Sequence, residues 1–226
     1  MNVWNNTWAK IKTVEIDEMT EMIFQMISNT IDFEGKSVLE LGCGTGRISY
    51  LAARAKAKKV TLIDSSEEAL RRARELFKGC GDAKFVLSDI FEYKTAEKFD
   101  VVMSSGLIEH FKGDLMEKVL MIHKSHSSDK VVVIVPASPH WNDIRLRLRS
   151  SEKKYGWQRP IGKISMAKMF QKMGMDIVLN QKFYTIYGLN HNFSKKSVYY
   201  IKRVTKHIDA VTGGLLLTVA EKNHQL

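Results

Sequence analysis

Apolar residues along this chain follow two patterns, short runs and repeats with a helical period. The short runs predict strands, and the repeats at spacings of three and four residues predict amphipathic helices. We expect Pro136 to end the fifth strand and Gly174 to end the last helix. The predicted strands are 37–41, 60–63, 84–87, 99–103, 130–135, 175–183 and 215–221, and the predicted helices are 17–31, 47–58, 66–77, 114–125 and 164–173.

Strands that alternate with helices indicate βαβ units and an α/β fold with a mostly parallel, doubly wound sheet. We interpret residues 1–226 as one domain with an N-terminal segment (1–35), a core (36–135) and two insertions (137–162 and 184–212). Ligands of such sheets bind outside the carboxyl ends of the strands. The candidate site is therefore formed by the turns 42–47, 64–66, 88–91 and 104–111.

The composition is that of a globular protein, with 226 residues, 44% hydrophobic and 27% charged. The longest apolar stretch, 131–135, is far shorter than the ~20 residues that cross a bilayer. The N-terminus has no apolar segment typical of a signal peptide, so we expect a cytoplasmic protein. Cys43 and Cys80 have no metal-ligand spacing, and no convincing set of acidic ligands is present, so we predict no metal.

The net charge is +10, and much of the excess lies at 145–163 and 195–206. Such stretches are typical of proteins that bind nucleic acid or an anionic small molecule, but also of ordinary solvated surfaces. The charge therefore leaves the class of partner open.

The first turn combines Glu40 with glycines at 42, 44 and 46. Glycine allows the backbone to approach a ligand closely, and a strand-to-helix turn presents free N–H groups. The spacing differs from the G-x-G-x-x-G of dinucleotide sites, which argues against a nicotinamide-dependent dehydrogenase. The carboxylate of Glu40 would repel a pyrophosphate but suits a ligand with a protonated amine.

The next two turns supply acceptors for a nucleoside. Asp64 ends an apolar strand, where a carboxylate can accept hydrogen bonds from both hydroxyls of a ribose. Asp89 can accept from an adenine amine while Ile90 packs on the ring, and the turn 104–111 would close the far side. Each acid also has a plain structural interpretation as a helix cap or a turn former.

At these motifs the chain resembles the class I S-adenosylmethionine-dependent methyltransferases of the small-molecule type. The resemblance rests on VLELGCGTG at 38–46, VTLIDSS at 60–66, FVLSDIFEY at 85–93 and FDVVMSSGLIEHF at 99–111. It implies a Rossmann-like sheet of seven strands with an antiparallel last strand, S-adenosylmethionine as cofactor, and a transferase activity.

The resemblance also implies roles for individual residues. The turn with Gly42, Cys43, Gly44 and Gly46 would pass under the methionine and ribose of the cofactor, with Glu40 near the amino group. Asp64 and Ser65 would lie at the ribose, Asp89 and Ile90 would flank the adenine, and Ser105 and Gly106 would lie near the methionine end.

Glu109 and His110 are the candidate catalytic residues, because the turn they occupy lies at the predicted pocket. A methyl on a sulfonium is already activated, so a general base is needed only for an acceptor that is protonated at neutral pH. Histidine has a suitable pKa for that role. The alternative interpretation is a histidine that packs and hydrogen-bonds at the start of a helix.

The sequence leaves the chemical class of the methyl acceptor open. The chain has neither an Asn/Asp-Pro-Pro-aromatic motif nor a Pro-Cys nucleophile, which favours a small molecule over an amino-directed or cytosine-directed nucleic-acid enzyme. The basic, aromatic insertions, with Trp141, Tyr155 and Trp157 in the first and Tyr187, Tyr199 and Tyr200 in the second, keep an RNA or protein methyltransferase as the rival. A non-catalytic cofactor-binding scaffold is a second alternative.

Trp4 and Trp8 stand four residues apart near the N-terminus. On a helix they would share one face. They fit two interpretations equally, as a lid that folds over the cofactor or as residues that pack the first helix on the core.

Overall fold

One mixed sheet with helices on both faces carries the candidate site. In the computed structural model of the chain, residues 3–10, 14–140, 143, 156–184 and 209–223 are described. The strands of these residues are β1 Ser37–Leu41, β2 Lys59–Asp64, β3 Ala83–Leu87, β4 Phe99–Ser105, β5 Ser127–Ser138, β6 Ile161–Gly162, β7 Met175–Phe183 and β8 Leu215–Lys222.

The helices alternate with these strands as predicted for the core. They are α1 Val3–Ala9, α2 Glu18–Ser28, α3 Arg47–Arg54, α4 Glu67–Leu76, α5 Asp114–His126, α6 Lys163–Lys172 and α7 Asp209–Thr212, with a 3₁₀ turn at Ile108–His110. Among the described residues, each helix is too short or too polar to span a bilayer.

The strand order is β3-β2-β1-β4-β5-β8-β7. The first five strands pair in parallel, and β8 runs antiparallel to both β5 and β7. The short β6 pairs with the end of β5 off this path. The chain runs outward from β1 to β3 and then returns to β4 beside β1, so the topological switch point lies between β1 and β4.

The buried side chains of adjacent strand positions fall into two apolar clusters, one on each face of the sheet. Val38 belongs to the cluster under α2, α3 and α4, and its neighbour Leu39 belongs to the cluster under α5 and α6. This alternation follows from the period of two along a strand. The sheet is therefore covered on both faces, which confirms the doubly wound α/β prediction with its antiparallel last strand.

Several predicted boundaries are confirmed and others shift. β1 and β7 have the predicted bounds, and Ser66 caps α4 by accepting from the Ala69 N–H at 3.2 Å. α2 is shorter than the predicted helix at 17–31, and Asp17 is its cap, accepting from the Thr20 N–H at 2.8 Å. α3 ends at Arg54 because Lys56 takes a left-handed φ of 63°, so the predicted extension to residue 58 is wrong.

The prediction that Pro136 ends the fifth strand is also wrong. β5 runs on to Ser138, and the Ala137 N–H donates to the Gly214 carbonyl on the β8 side at 2.9 Å. Successive backbone nitrogens face opposite sides of a strand, so the nitrogen of Pro136 faces the β4 side. The pairing with β4 ends at Ile134, so proline loses no ladder hydrogen bond there.

Candidate cofactor and acceptor site

The turn between β1 and α3 is built on three glycines in the left-handed region. The φ angles of Gly42, Gly44 and Gly46 are 62°, 55° and 69°. A Cβ on Gly46 would lie 2.4 Å from Leu62 Cδ2, and one on Gly44 would lie 2.8 Å from the Trp8 indole. Both the backbone angles and the available space therefore require glycine. The turn presents bare backbone at the switch point.

Glu40 lies at the end of β1 beneath this turn and is almost completely buried. Its carboxylate accepts from the Ser49 hydroxyl on α3 at 2.5 Å. Burial raises the pKa of Glu40 to about 7, and the nearby Asp64 charge adds to this effect. Glu40 thus links β1 to α3, as expected of a residue that organises the turn. The predicted proximity to a ligand amine stays a prediction.

Asp64 at the end of β2 ties the first two turns together. One carboxylate oxygen accepts from the Gly44 N–H and the other from the Ser66 N–H, both at 2.8 Å. Burial raises its pKa, and these backbone hydrogen bonds oppose the rise. Each carboxylate oxygen has a second lone pair, so further donors such as ribose hydroxyls can still be accepted. Ser65, beside it, is exposed.

The turn after β3 shows the structural role of its acid, and the contact with an adenine amine stays a prediction. Asp89 is exposed, and its Oδ1 accepts from the Phe91 N–H at 2.9 Å, which makes it a turn former. Ile90 is buried in the apolar cluster that contains Leu39. Phe91 packs edge-on against Phe111 of the fourth turn at a centroid distance of 5.6 Å. The third and fourth turns therefore form one continuous rim.

The fourth turn begins at Ser105, which is half-buried, and Gly106, whose φ is 72°. The Gly106 N–H donates to the Ile134 carbonyl of β5 at 2.9 Å, which fixes the turn to the sheet. The 3₁₀ turn that follows brings Glu109 and His110 to the switch point, close to the glycine turn through Leu107, whose side chain lies against Gly42.

The imidazole of His110 is held in one tautomer. Its Nδ1 lies 2.8 Å from the Trp157 carbonyl, which can only accept, so Nδ1 carries the proton. In the neutral ring Nε2 then has a free lone pair. Burial lowers the pKa of His110, and the carbonyl groups of Trp157 and Gly106 oppose that effect.

Glu109 is buried beside this ring, with 2% of its surface exposed. Burial raises its pKa to about 8, and its Oε2 has no hydrogen-bond partner among the described residues. Oε1 lies 4.0 Å from His110 Nε2, within the usual limit for an ion pair. The two groups nevertheless do not form an ion pair near pH 7. The raised pKa of Glu109 keeps the carboxyl protonated and the lowered pKa of His110 keeps the ring neutral.

Helix α1 lies across these turns. The Trp8 indole covers Gly44, the Ser66 hydroxyl donates to Asn5 Oδ1 at 2.5 Å, and Trp4 packs edge-on against His110 at a centroid distance of 5.0 Å. The two indoles stack on each other at 6.3 Å. The spacing of the tryptophans indicated their shared face.

Sequence reasoning did not find three partners that the site uses, namely Asn5, Ser49 and Trp157 as the partner of His110. Asn5 and Trp157 lie 61 and 47 positions from the residues that they contact, and Ser49 lies nine positions from Glu40, on the next helix. Of the predicted substrate-side residues, Trp141, Arg145, Tyr155 and the range 185–208 lie outside the described residues. Across the part of the chain that is described, no group of three His, Cys, Asp or Glu side chains is placed to hold a metal ion.

A protein-family model described as a methyltransferase domain matches residues 32–191, about 70% of the chain. The chain belongs to this family. The match includes all four turns of the site, so the predicted family is confirmed together with its fold. The roles of the individual site residues stay predictions.

Known relatives include enzymes with different acceptors. The chain is 38% identical over 90 residues to a putative protein N5-glutamine methyltransferase of Methanocaldococcus jannaschii, covering 39% of this chain and 45% of the relative. It is 34% identical over 110 residues to a ubiquinone biosynthesis O-methyltransferase of Aromatoleum aromaticum, covering 47% and 46%. The chain thus spans about half the length of these relatives.

The fold extends over nearly the whole chain. The crystal structure of magnesium protoporphyrin IX methyltransferase from Synechocystis PCC 6803 with bound S-adenosylmethionine aligns with a TM-score of 0.65, covering 96% of this chain and 90% of the other. The identity is 12%. This likeness concerns the fold alone.

Proposed function

We propose that this protein transfers the methyl group of S-adenosylmethionine to a small-molecule acceptor. The observation that carries the proposal is the glycine turn at the switch point, whose Gly44 N–H donates to Asp64 at the carboxyl end of β2, with the Glu109–His110 turn following β4. Ligands of doubly wound sheets bind at that point. When bound, the cofactor supplies an activated methyl group on a sulfonium.

The cofactor would be held by the four turns. The bare backbone of Gly42, Cys43, Gly44 and Gly46 gives room for a close approach, and the unused lone pairs of Asp64 suit a ribose diol beside Ser65. Asp89 offers a carboxylate to the adenine amine, with Ile90 as part of the apolar wall. Ser105 and Gly106 lie at the methionine end, and Glu40 braces the glycine turn from below.

His110 is the proposed general base. The acceptor's N–H or O–H gives its proton to Nε2, the nucleophile bonds to the methyl carbon, and the electron pair of the breaking carbon–sulfur bond goes to sulfur. The Trp157 carbonyl supports this role because it keeps the proton of the neutral ring on Nδ1. The lowered pKa keeps the ring neutral near pH 7.

Glu109 is the proposed partner of the charged ring. Once Nε2 gains a proton, the positive charge 4.0 Å from Oε1 favours the ionised form of this carboxyl. Glu109, once its proton has passed to solvent, would in turn stabilise the imidazolium. Its buried and unpartnered Oε2 is consistent with a group kept for such a change rather than for packing.

A small acceptor is favoured by the sequence, which has neither an Asn/Asp-Pro-Pro-aromatic motif nor a Pro-Cys nucleophile. In the structure, Trp4 packs edge-on against the His110 ring, and the Trp157 carbonyl lies at Nδ1. The rival acceptors, RNA or protein, predict strong salt dependence of binding or recognition of a peptide. A scaffold without catalysis predicts cofactor binding but no transfer to any acceptor.

The test is calorimetric titration of the full chain with S-adenosylhomocysteine. We expect the wild type to bind, and Asp64→Asn to bind more weakly by about 1–3 kcal/mol because a charged acceptor is lost. Asp100→Asn is the matched control: Asp100 also accepts from a backbone N–H, that of Ser37 at 2.8 Å, but at the amino end of the strands. No binding to folded wild type would refute the proposal, and equal losses in both variants would refute the ribose assignment.

Once an acceptor is found by screening small molecules first, His110→Gln tests the base. We expect kcat to fall by roughly 10²–10⁴-fold at neutral pH while the affinity for S-adenosylhomocysteine is kept. A kcat that is unchanged across the pH range would show that His110 is not the base.

A further inference from the structure

We propose that Lys112 and Trp157 are positioning residues of the candidate base His110. The contact of the Lys112 ammonium with the Trp157 indole holds the segment 157–159 against the turn that carries His110. The Trp157 carbonyl of this segment then keeps the proton of the neutral imidazole on Nδ1. This inference rests on the proposed function, in which His110 is the base.

The C-terminal part of the segment 157–159 is anchored by the main chain. The Arg159 N–H donates to the Glu109 carbonyl at 2.9 Å. Arg159 is followed by the buried Pro160, whose ring restricts the preceding residue to extended backbone. Immediately after this proline, β6 pairs with the end of β5. The chain is therefore led from the sheet to the side of the turn with Glu109.

The N-terminal part of the segment depends on the side chain of Trp157. This indole is half-buried and belongs to neither apolar cluster of the described residues. Gly156, just before it, has a φ of 72°, and a Cβ added there would meet nothing within 4 Å. The Lys112 ammonium lies 4.7 Å from the centroid of the indole, within the ~6 Å at which a cation is attracted to an aromatic face. Lys112 thus holds the ring of the residue whose carbonyl meets His110.

Both contacts of Trp157 converge on one short stretch of chain. Lys112 lies two positions after His110, so the ring and the carbonyl of one residue contact the same turn. The carbonyl lies 2.8 Å from Nδ1, and a displacement of about 1 Å would break a hydrogen bond of this length. The proton of the neutral ring would then be shared between the two nitrogens. Fewer molecules would present the free Nε2 lone pair that a base needs.

NMR shifts of the His110 ring nitrogens, measured above the pKa on the full chain without ligand, test this arrangement because they report which nitrogen carries the proton. We expect the wild type to be protonated on Nδ1. In Lys112→Gln the ratio of Nδ1-protonated to Nε2-protonated ring should fall roughly two- to fivefold, the size expected for an exposed cation–π contact. Lys112→Arg keeps a cation for the indole and should match the wild type. Lys112 is exposed, so both replacements should leave the fold intact.

Two further variants separate the contact from the charge. Trp157→Ala removes the ring but keeps the carbonyl and the Lys112 charge, so the ratio should fall there as well. Lys118→Gln removes the same charge from an exposed position on α5 and should leave the ratio unchanged. A wild type protonated on Nε2, an unchanged ratio in Lys112→Gln, or an equal fall in Lys118→Gln would overturn the proposal.

These readouts need neither cofactor nor acceptor, so their failure is distinguishable from failure of the proposed function. Once an acceptor is found, Lys112→Gln should lower kcat by the same two- to fivefold while the affinity for S-adenosylhomocysteine is kept. An unchanged kcat in His110→Gln would instead overturn the base, and with it the catalytic importance of its two positioning residues.

Discussion

Replacing Glu109 with glutamine should change how the stability of this protein depends on pH. Glu109 is buried, its Oε2 has no hydrogen-bond partner in the described part of the chain, and its pKa is raised to about 8. In the unfolded chain the same group ionises near its ordinary value of 4.5. Between these values the folded protein binds a proton that the unfolded chain has released. Stability must therefore fall as pH rises through this window.

The magnitude follows from linkage. A full difference of one proton changes the free energy of unfolding by roughly 1.4 kcal/mol per pH unit. From pH 5.5 to 7.5 the difference is nearly one proton, so Glu109 should cost the wild type roughly 2–3 kcal/mol over that range. Glu109→Gln removes this contribution, while Glu40, whose pKa is raised to about 7, titrates in both proteins and cancels.

The assay is urea unfolding at pH 5.5 and 7.5 without cofactor, with Glu92→Gln as an exposed control. Any cost of burying the amide in place of the protonated acid is the same at both pH values. We expect the variant to gain roughly 2–3 kcal/mol on the wild type between the two pH values, and the control to gain nothing. Parallel stability curves for wild type and Glu109→Gln would refute the raised pKa and the neutral pair built on it.

Two further predictions concern the scaffold. Gly46→Ala should lose roughly 3 kcal/mol of stability, because its φ is left-handed and the new Cβ would lie 2.4 Å from buried Leu62. Gly79→Ala, which is also left-handed but has open space around it, should lose about 1 kcal/mol. Equal losses of the two variants in thermal melts would refute the steric argument. His123, buried and bonded to Ser104, has its pKa lowered to about 4, so stability falls as pH drops below 6.5. His123→Gln should remove about 2 kcal/mol of that fall between pH 7 and 5 in urea titrations, and an unchanged slope would contradict it.

Features set by nearby sequence could be predicted. β1 is an apolar run that ends at Gly42, and Ser66 has both the capping side chain and a following acidic turn, so their positions were available from local chemistry. The four turns follow from the strand ends because a parallel sheet brings its carboxyl ends to one edge. The glycine turn, Asp64 and the turn with His110 therefore lie at the strand ends where the sequence put them, and their roles toward a ligand stay predictions.

Features that depend on partners distant in the sequence could not be predicted. Pro136 is tolerated inside β5 only because the pairing with β4 has already ended. The sequence of α1, with Asn5, Asn6 and Thr7 in its centre, is a poor helix former, and its contacts with the turns explain its order. The bond from His110 to the Trp157 carbonyl joins residues 47 apart, and no local pattern indicates it.

The stability cost of Glu109 and the neutral, unprotonated Nε2 of His110 have the same physical cause, which is burial. If the pair lay in water, a carboxylate and an imidazole 4.0 Å apart would favour the charged forms, and the proton on Nε2 would block the lone pair that a base needs. Burial opposes both charges, which raises the pKa of Glu109 and lowers that of His110. Burial thus leaves the carboxyl protonated and the ring neutral near pH 7, which fits the proposed role of this site in proton transfer.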